Sequence, residues 1–334
     1  MKRLCAGLIT LFLCALPIVA QTSIKNSDII FSIQPAYSIE NGVLNEFVYK
    51  YDDAGTLFKL SELNWNIVNS HNFGASIKFG WKYVYINTDF SLGMSARSGY
   101  MYDSDWLHPN DHSIKTTYSI NENYLNKRQA LQIGINGKIP CIPERVRNVF
   151  SMNLCPYFNY DYILYSFSGN NGYGWYGNKV TPIVEYTDPN AIFYCKGQLF
   201  GIDYEREHTN FYHGLLIECI FFQRLLLTCD FGISLNTKVN SIDTHYNGSD
   251  KTIGTNYLDI MESKFNTFTI SSSFEYNFWD GFHFGIGYTY FNMGITPGIN
   301  KEKSLTAKEY IKTNIVSKCS GETHTFKIYL GYTL

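Results

Sequence analysis

Past Gln21 the sequence has no run of ~18 uninterrupted apolar residues, so it holds no helix able to cross a bilayer. Charge is scarce as well. Asp, Glu, Lys and Arg make up 17% of the residues, against about 25% in an average soluble domain. The formal net charge of -2 excludes a broad electrostatic grip on nucleic acid. No serine or cysteine carries a nucleophile motif around it. Cys141, Cys155, Cys195, Cys219, Cys229 and Cys319 follow no zinc-binding spacing. In an oxidising compartment these cysteines could pair, Cys219 with Cys229 across a turn near Phe222–Leu225, or stand as free thiols of a wall.

What is present points to secretion and to strands. Lys2 and Arg3 precede a mostly apolar stretch from Leu8 to Val19, which reads as a signal peptide over residues 1–20, cut after Ala20. Cys14 lies inside that stretch, without the small residue expected before a lipidated cysteine. Aromatic residues reach 17%, with 27 Tyr and 24 Phe. A secreted chain rich in Tyr, Phe and Gly but poor in charge fits a transmembrane β-barrel with aromatic girdles. A periplasmic or secreted β-sandwich is the alternative that composition leaves open.

Alternation with period two runs through the chain. Phe31, Ile33, Pro35, Tyr37 and Ile39 alternate with polar or small residues. So do Phe268, Ile270, Phe274, Tyr276 and Phe278, and the closing Phe326, Ile328, Leu330, Tyr332 and Leu334. The pattern predicts ten strands, near 28–48, 56–80, 84–102, 121–140, 147–168, 193–222, 225–243, 256–278, 281–296 and 320–334. Short connections near 81–83, 142–147, 222–225 and 279–281 alternate with long polar ones at 49–55, 103–120, 169–192, 244–255 and 297–319. Short inner turns alternating with long outer loops mark a bacterial barrel. The expected fold is therefore all-β: one ten-stranded antiparallel transmembrane barrel over residues 21–334. Several strands exceed the ~9–11 residues that cross a bilayer, so the barrel should extend above the membrane.

Parity then places two acidic motifs at one open end. Asp103-Ser104-Asp105-Trp106 ends the third expected strand and Asp243-Thr244-His245 the seventh. With both termini in the periplasm, both motifs reach the extracellular rim, on roughly opposite walls. Asp243 lies two residues before His245, hence on the same strand face, where it can orient and charge-stabilise the imidazole. Histidine is the natural base near neutral pH. Asp103 and Asp105 also share a face, and close carboxyls tend to share a proton. Together the four suit attack of an activated water on a peptide carbonyl. Either motif alone is common by chance, and rim loops are commonly acidic. A zinc hydrolase would need a three-ligand set, whereas this rim has one His and several Asp.

At these residues the chain resembles the omptins, ten-stranded outer-membrane aspartyl-type endopeptidases of Gram-negative bacteria. The similar segments are Leu63-Asn64-Trp65, Ser95 to Trp106, Asp243-Thr244-His245-Tyr246, Glu46-Phe47-Val48-Tyr49, Tyr165-Ser166-Phe167 and Gly331-Tyr332-Thr333. The resemblance implies catalysis by Asp103, Asp105, Asp243 and His245 with no cofactor. It implies cleavage beside basic residues, because an acidic pocket pairs with Arg or Lys. Glu46 matches the pocket's first acid. Ser241 stands where the second would be, and Asp111 is the candidate acid on the leaving-group side. Omptins also grip lipopolysaccharide phosphate on the outer wall. Here Tyr160 fits that site, but Tyr162 and Leu164 replace a Glu and an Arg, which leaves lipopolysaccharide dependence open. Expected partners are cationic peptides, exposed protein loops and outer-membrane lipid, at the cell surface of a Gram-negative bacterium. The rival reading is a non-catalytic surface barrel serving as adhesin, peptide binder or pore.

Overall fold

The computed structural model describes residues 29–142, 149–199, 201–247 and 251–334. The signal peptide expected over 1–20 and most of the turn expected at 142–147 lie outside them. Long strands dominate. They are β1 (Ile29–Tyr51), β2 (Leu57–Trp81), β3 (Val84–Gly93), β4 (Ala96–Asp105), β5 (Thr117–Gly137), β6 (Ile139–Pro140) and β7 (Phe150–Tyr176). After a 3-10 turn at Gly177–Lys179 come β8 (Ile192–Tyr194), β9 (Ile202–Phe221) and β10 (Leu225–Tyr246). The chain ends with β11 (Gly254–Ser263), β12 (Thr267–Trp279), β13 (Phe282–Ser304) and β14 (Ile311–Thr333).

β3 and β4 are two lengths of one wall strand, as are β11 and β12, while β6 and β8 are short additions. Ten strands therefore go round, and β1 closes the ring by pairing with β14. All neighbours in the ring are antiparallel, which leaves no edge unpaired in lipid.

The outer face at the lower end carries the apolar half of each alternating strand. Phe79, Ile135, Phe158, Phe231, Phe284 and Ile328 all stand exposed there. Exposed apolar side chains on this scale are a lipid-facing belt. The inner face at that level is polar, with ion pairs such as Lys138–Glu218 at 2.7 Å. Higher up the barrel the polarity of the interior reverses. Leu44, Leu63, Trp65, Ile67, Met101, Leu125, Phe167 and Tyr204 point inward and pack into a buried plug. Beneath it Glu40 takes hydrogen bonds from Arg128 at 2.7 Å and Tyr165 at 2.6 Å. A second group, Val239, Met261, Phe291, Met293 and Cys319, fills the opposite side. Full burial of one such large side chain contributes about 1.5–3 kcal/mol. The plug separates the lower polar lumen from the mouth and gives the mouth a rigid floor.

Above the lipid the strands run further than the alternation implied. β4 continues to Asp105, β7 to Tyr176, β10 to Tyr246 and β13 to Ser304, and β14 starts at Ile311. The expected strand at 193–222 is divided: β8 ends at Tyr194 and β9 starts at Ile202. Outside the bilayer neither wall face must be apolar, so alternation fades while the ladder of backbone hydrogen bonds goes on. The cysteine pairing considered across the β9–β10 hairpin does not form. Cys219 lies opposite Leu227 and Cys229 opposite Ile217, and all six cysteines of the described residues are free.

Candidate active site

A cavity of about 580 Å³ opens above the plug. Asp103 and Asp105 reach it from β4, Asp243 and His245 from β10, and Glu46 from β1. β4 and β10 lie on opposing walls of the ring, so the two acidic motifs face each other across the mouth. The motifs stand within the strands, not in loops after them. β4 is clamped between β2 and β5 through Leu63↔Asp103 and Asp103↔Ser119. β10 is clamped between β9 and β11 through Asp243↔Tyr204 and Asp243↔Tyr257. Side chains on such ladders are held more firmly than on loops.

Asp243 is almost wholly buried, while the side chain of His245 is 38% exposed toward the cavity. His245 Nε2 donates to Asp243 Oδ2 at 2.5 Å. The ring also meets Tyr257 edge-on, with 5.5 Å between centroids. These contacts fix the ring and leave Nδ1 available on its other side. Burial disfavours the imidazolium, but the charge and hydrogen bond of Asp243, with the charges of Asp103 and Asp105, outweigh it. His245 is pushed up to about 9. Across the mouth, burial and the Asp105 charge hold Asp103 well above the usual carboxylate range, against the pull of His245. Burial also raises Asp105, opposed by the neighbouring Ser61 hydroxyl, His245 and Thr117. The resting site thus keeps a proton on the imidazole and favours another on the Asp pair.

Glu46 is 2% exposed and lies at the base of the cavity beneath Asp243. Ser241 is buried one layer below Asp243 on the same strand face, beside the hydroxyl of Tyr204. Asp111 is not brought to the cavity. It stands exposed in the loop after β4, where its Oδ1 accepts hydrogen bonds from the Ser113 backbone and hydroxyl. Its own loop satisfies it, which spacing along the chain could not reveal.

Other residues escaped the sequence reading. Arg206, fully buried, sends Nη1 across the barrel to the carbonyls of Ser320 at 3.0 Å and Asn45 at 3.3 Å. Trp65 stacks on Tyr204, with centroids 5.1 Å apart, inside the plug beneath the cavity. Asp259 lies directly opposite Ser241 in the β10–β11 ladder. Among the described residues, no three His, Cys, Asp or Glu side chains are grouped to hold a metal ion.

The model of the Omptin family matches residues 29–321 of this chain. The chain belongs to the omptin family. Its fold is similar to the crystal structure of the outer membrane protease OmpT from Escherichia coli. The TM-score is 0.76 at 16% identity, over 93% of this chain and 100% of that one. A looser match is the translocator domain of the autotransporter NalP from Neisseria meningitidis. There the TM-score is 0.30 at 10% identity, over 98% of this chain and 96% of that one. No curated protein sequence matches. This omptin is an outer-membrane β-barrel.

Proposed function

We propose that this omptin is an endopeptidase that hydrolyses peptide bonds beside basic residues. The observation that carries the reading is the His245–Asp243 hydrogen bond facing Asp103 and Asp105 across one cavity. Water bound between the walls gives a proton to His245 Nδ1 as its oxygen attacks the scissile carbonyl carbon. Asp243 keeps Nε2 protonated and balances the imidazolium. The protonated member of the Asp103–Asp105 pair donates to the developing oxyanion. When the C–N bond breaks, the proton on Nδ1 passes to the leaving nitrogen.

The base form of His245 must exist for this to run. A cationic substrate entering the mouth opposes the negative field that raises His245, so binding itself favours the neutral ring. Glu46 at the base of the cavity supports a basic side chain next to the cut. We place the mouth on the extracellular side, where long connections gather. Cationic peptides and exposed protein loops are then the substrates, drawn in more strongly at low salt. No cofactor enters the scheme.

On the outer wall Tyr162 donates to Glu207 at 2.9 Å. Lys238 is the exposed cation in the same ladder row, two strands from Tyr162, so a phosphate there would meet one cation beside a carboxylate that is already engaged. We propose that activity does not strictly require lipopolysaccharide. The direct test is a mixed peptide library incubated with the refolded barrel in outer-membrane-like lipid, with and without lipopolysaccharide. Cuts beside Arg or Lys under both conditions would support the proposal. No cuts under either would leave a surface barrel that binds peptides, since the plug already closes the path a pore would need.

A further inference from the structure

The wall beside the His245–Asp243 pair contains a second acidic arrangement. Asp259, 1% exposed, projects inward from β11 in the layer of Ser241 and Glu46. Its Oδ1 accepts hydrogen bonds from Asn300 Nδ2 at 2.8 Å and Ser317 Oγ at 2.5 Å. These donors come from β13 and β14, the strands between β11 and β1 in the ring. They draw the carboxyl along the wall toward β1. There Glu46 and Asp259 meet carboxyl to carboxyl, within hydrogen-bonding reach.

Glu46 Oε2, Asp259 Oδ2 and Asp243 Oδ1 are all buried and have no donor among the described residues. Buried carboxylate oxygens normally find donors, and leaving them without is costly. Two adjoining carboxyls with no donor between them hold a shared proton when the cavity is empty. Arg206 lies near Glu46 but directs Nη1 to backbone carbonyls, and it forms no ion pair with either acid among the described residues. The remaining charged or titratable neighbours are Asp243 on β10, Tyr204 on β9 and Cys319 on β14. Above the pair the cavity is lined by Val48, Ile315 and Tyr257. Apolar walls over an acidic base suit a side chain with an aliphatic stem and a cationic head.

We infer that Asp259 is a specificity-determining residue that, with Glu46, seats the basic side chain of the substrate in place of an acid at Ser241. The inference rests on the endopeptidase reading and deepens it. Ser241 and Asp259 are cross-strand neighbours on one face, whose Cβ atoms typically lie about 4.5–5.5 Å apart. An acid at either position can therefore address the same pocket. Asp259 acts through the pair. Glu46 lines the cavity, and Asp259 behind it supplies the second negative charge once a guanidinium or ammonium replaces the shared proton.

The test compares two fluorogenic peptides that differ only by arginine or neutral citrulline beside the cut. Wild type should prefer arginine. Asp259→Asn should lower kcat/KM for the arginine peptide roughly ten- to a hundredfold, the range for losing one charged hydrogen-bond partner, and barely change it for citrulline. Adding Ser241→Asp to Asp259→Asn should restore the preference, which a merely structural role for Asp259 would not produce. Ser317→Ala, a milder change that loosens Asp259, should move the ratio the same way by a smaller factor and serves if Asp259→Asn does not refold. An unchanged arginine-to-citrulline ratio in a folded variant, with wild type active, would overturn the inference and spare the endopeptidase reading. Cleavage of neither peptide by folded wild type would overturn both.

Discussion

His245 Nε2 and Asp243 Oδ2 are 2.5 Å apart, and the aspartate is buried where the imidazole is not. The carboxylate therefore has one strong use, which is to hold the ring and its charge. Asp243→Asn keeps the size of the side chain and removes that charge. It should lower kcat/KM by about 10²–10⁴-fold, the usual range for a lost acid–base function, without loss of the folded barrel. It should also bring the His245 titration down from about 9, which NMR of the imidazole can follow.

The pH dependence follows from the same pair. A base held up to about 9 is mostly protonated at neutral pH, so activity should climb from pH 6 toward 9. Asp103→Asn removes the acid that serves the oxyanion and should lower the maximum, while Asp105 keeps the charge of the pair and holds this limb near its wild-type pH. Stability has the opposite sign. The folded value of His245 lies above its ordinary 6.5, so its contribution is complete below about 6.5 and is lost as pH rises through about 9. Denaturant midpoints measured from pH 6 to 10 on wild type and His245→Ala should converge at the alkaline end.

The plug should matter to stability and to the site together. Trp65 is fully buried and stacks on Tyr204, which lies opposite Asp243 in the β9–β10 ladder. Trp65→Ala should cost about 3–5 kcal/mol of folding free energy, read from urea unfolding in micelles. The floor it leaves should also let the β10 site shift, so kcat should fall although Trp65 does not reach the cavity.

Asp111 gives the reverse expectation. It is exposed, turned into its own loop and outside the cavity. Asp111→Ala should leave kcat/KM for a basic peptide within about twofold, consistent with a surface substitution of small effect. A loss comparable to that of Asp243→Asn would mean that the loop closes over the substrate.

How much could be read beforehand differs by level of the barrel. At lipid height one face must be apolar and the other polar, so β12 and β13 stand out through Phe274, Tyr276, Phe284 and Ile286. Higher up that constraint ends, and the top of β7 and the start of β14 looked like loop. The plug was hidden for a related reason. Leu44 and Trp65 are inward-facing apolar residues, where alternation alone assigns apolar side chains to lipid. Within the site, Asp103, Asp105, Asp243, His245 and Glu46 could be named because close spacing puts paired residues on one strand face and because the family motif includes them. Asp259 could not, since it is a lone acid between Leu258 and Ile260. Only the register that sets Ser241 against Asp259 gives it a meaning.

The most direct test is the kcat/KM of purified wild type and His245→Ala, in the same lipid and against the same arginine-containing peptide. The account predicts cleavage by wild type and a loss of at least about a hundredfold in a variant that still folds as a barrel, since the only base in the scheme is gone. Equal cleavage by the two proteins would contradict it.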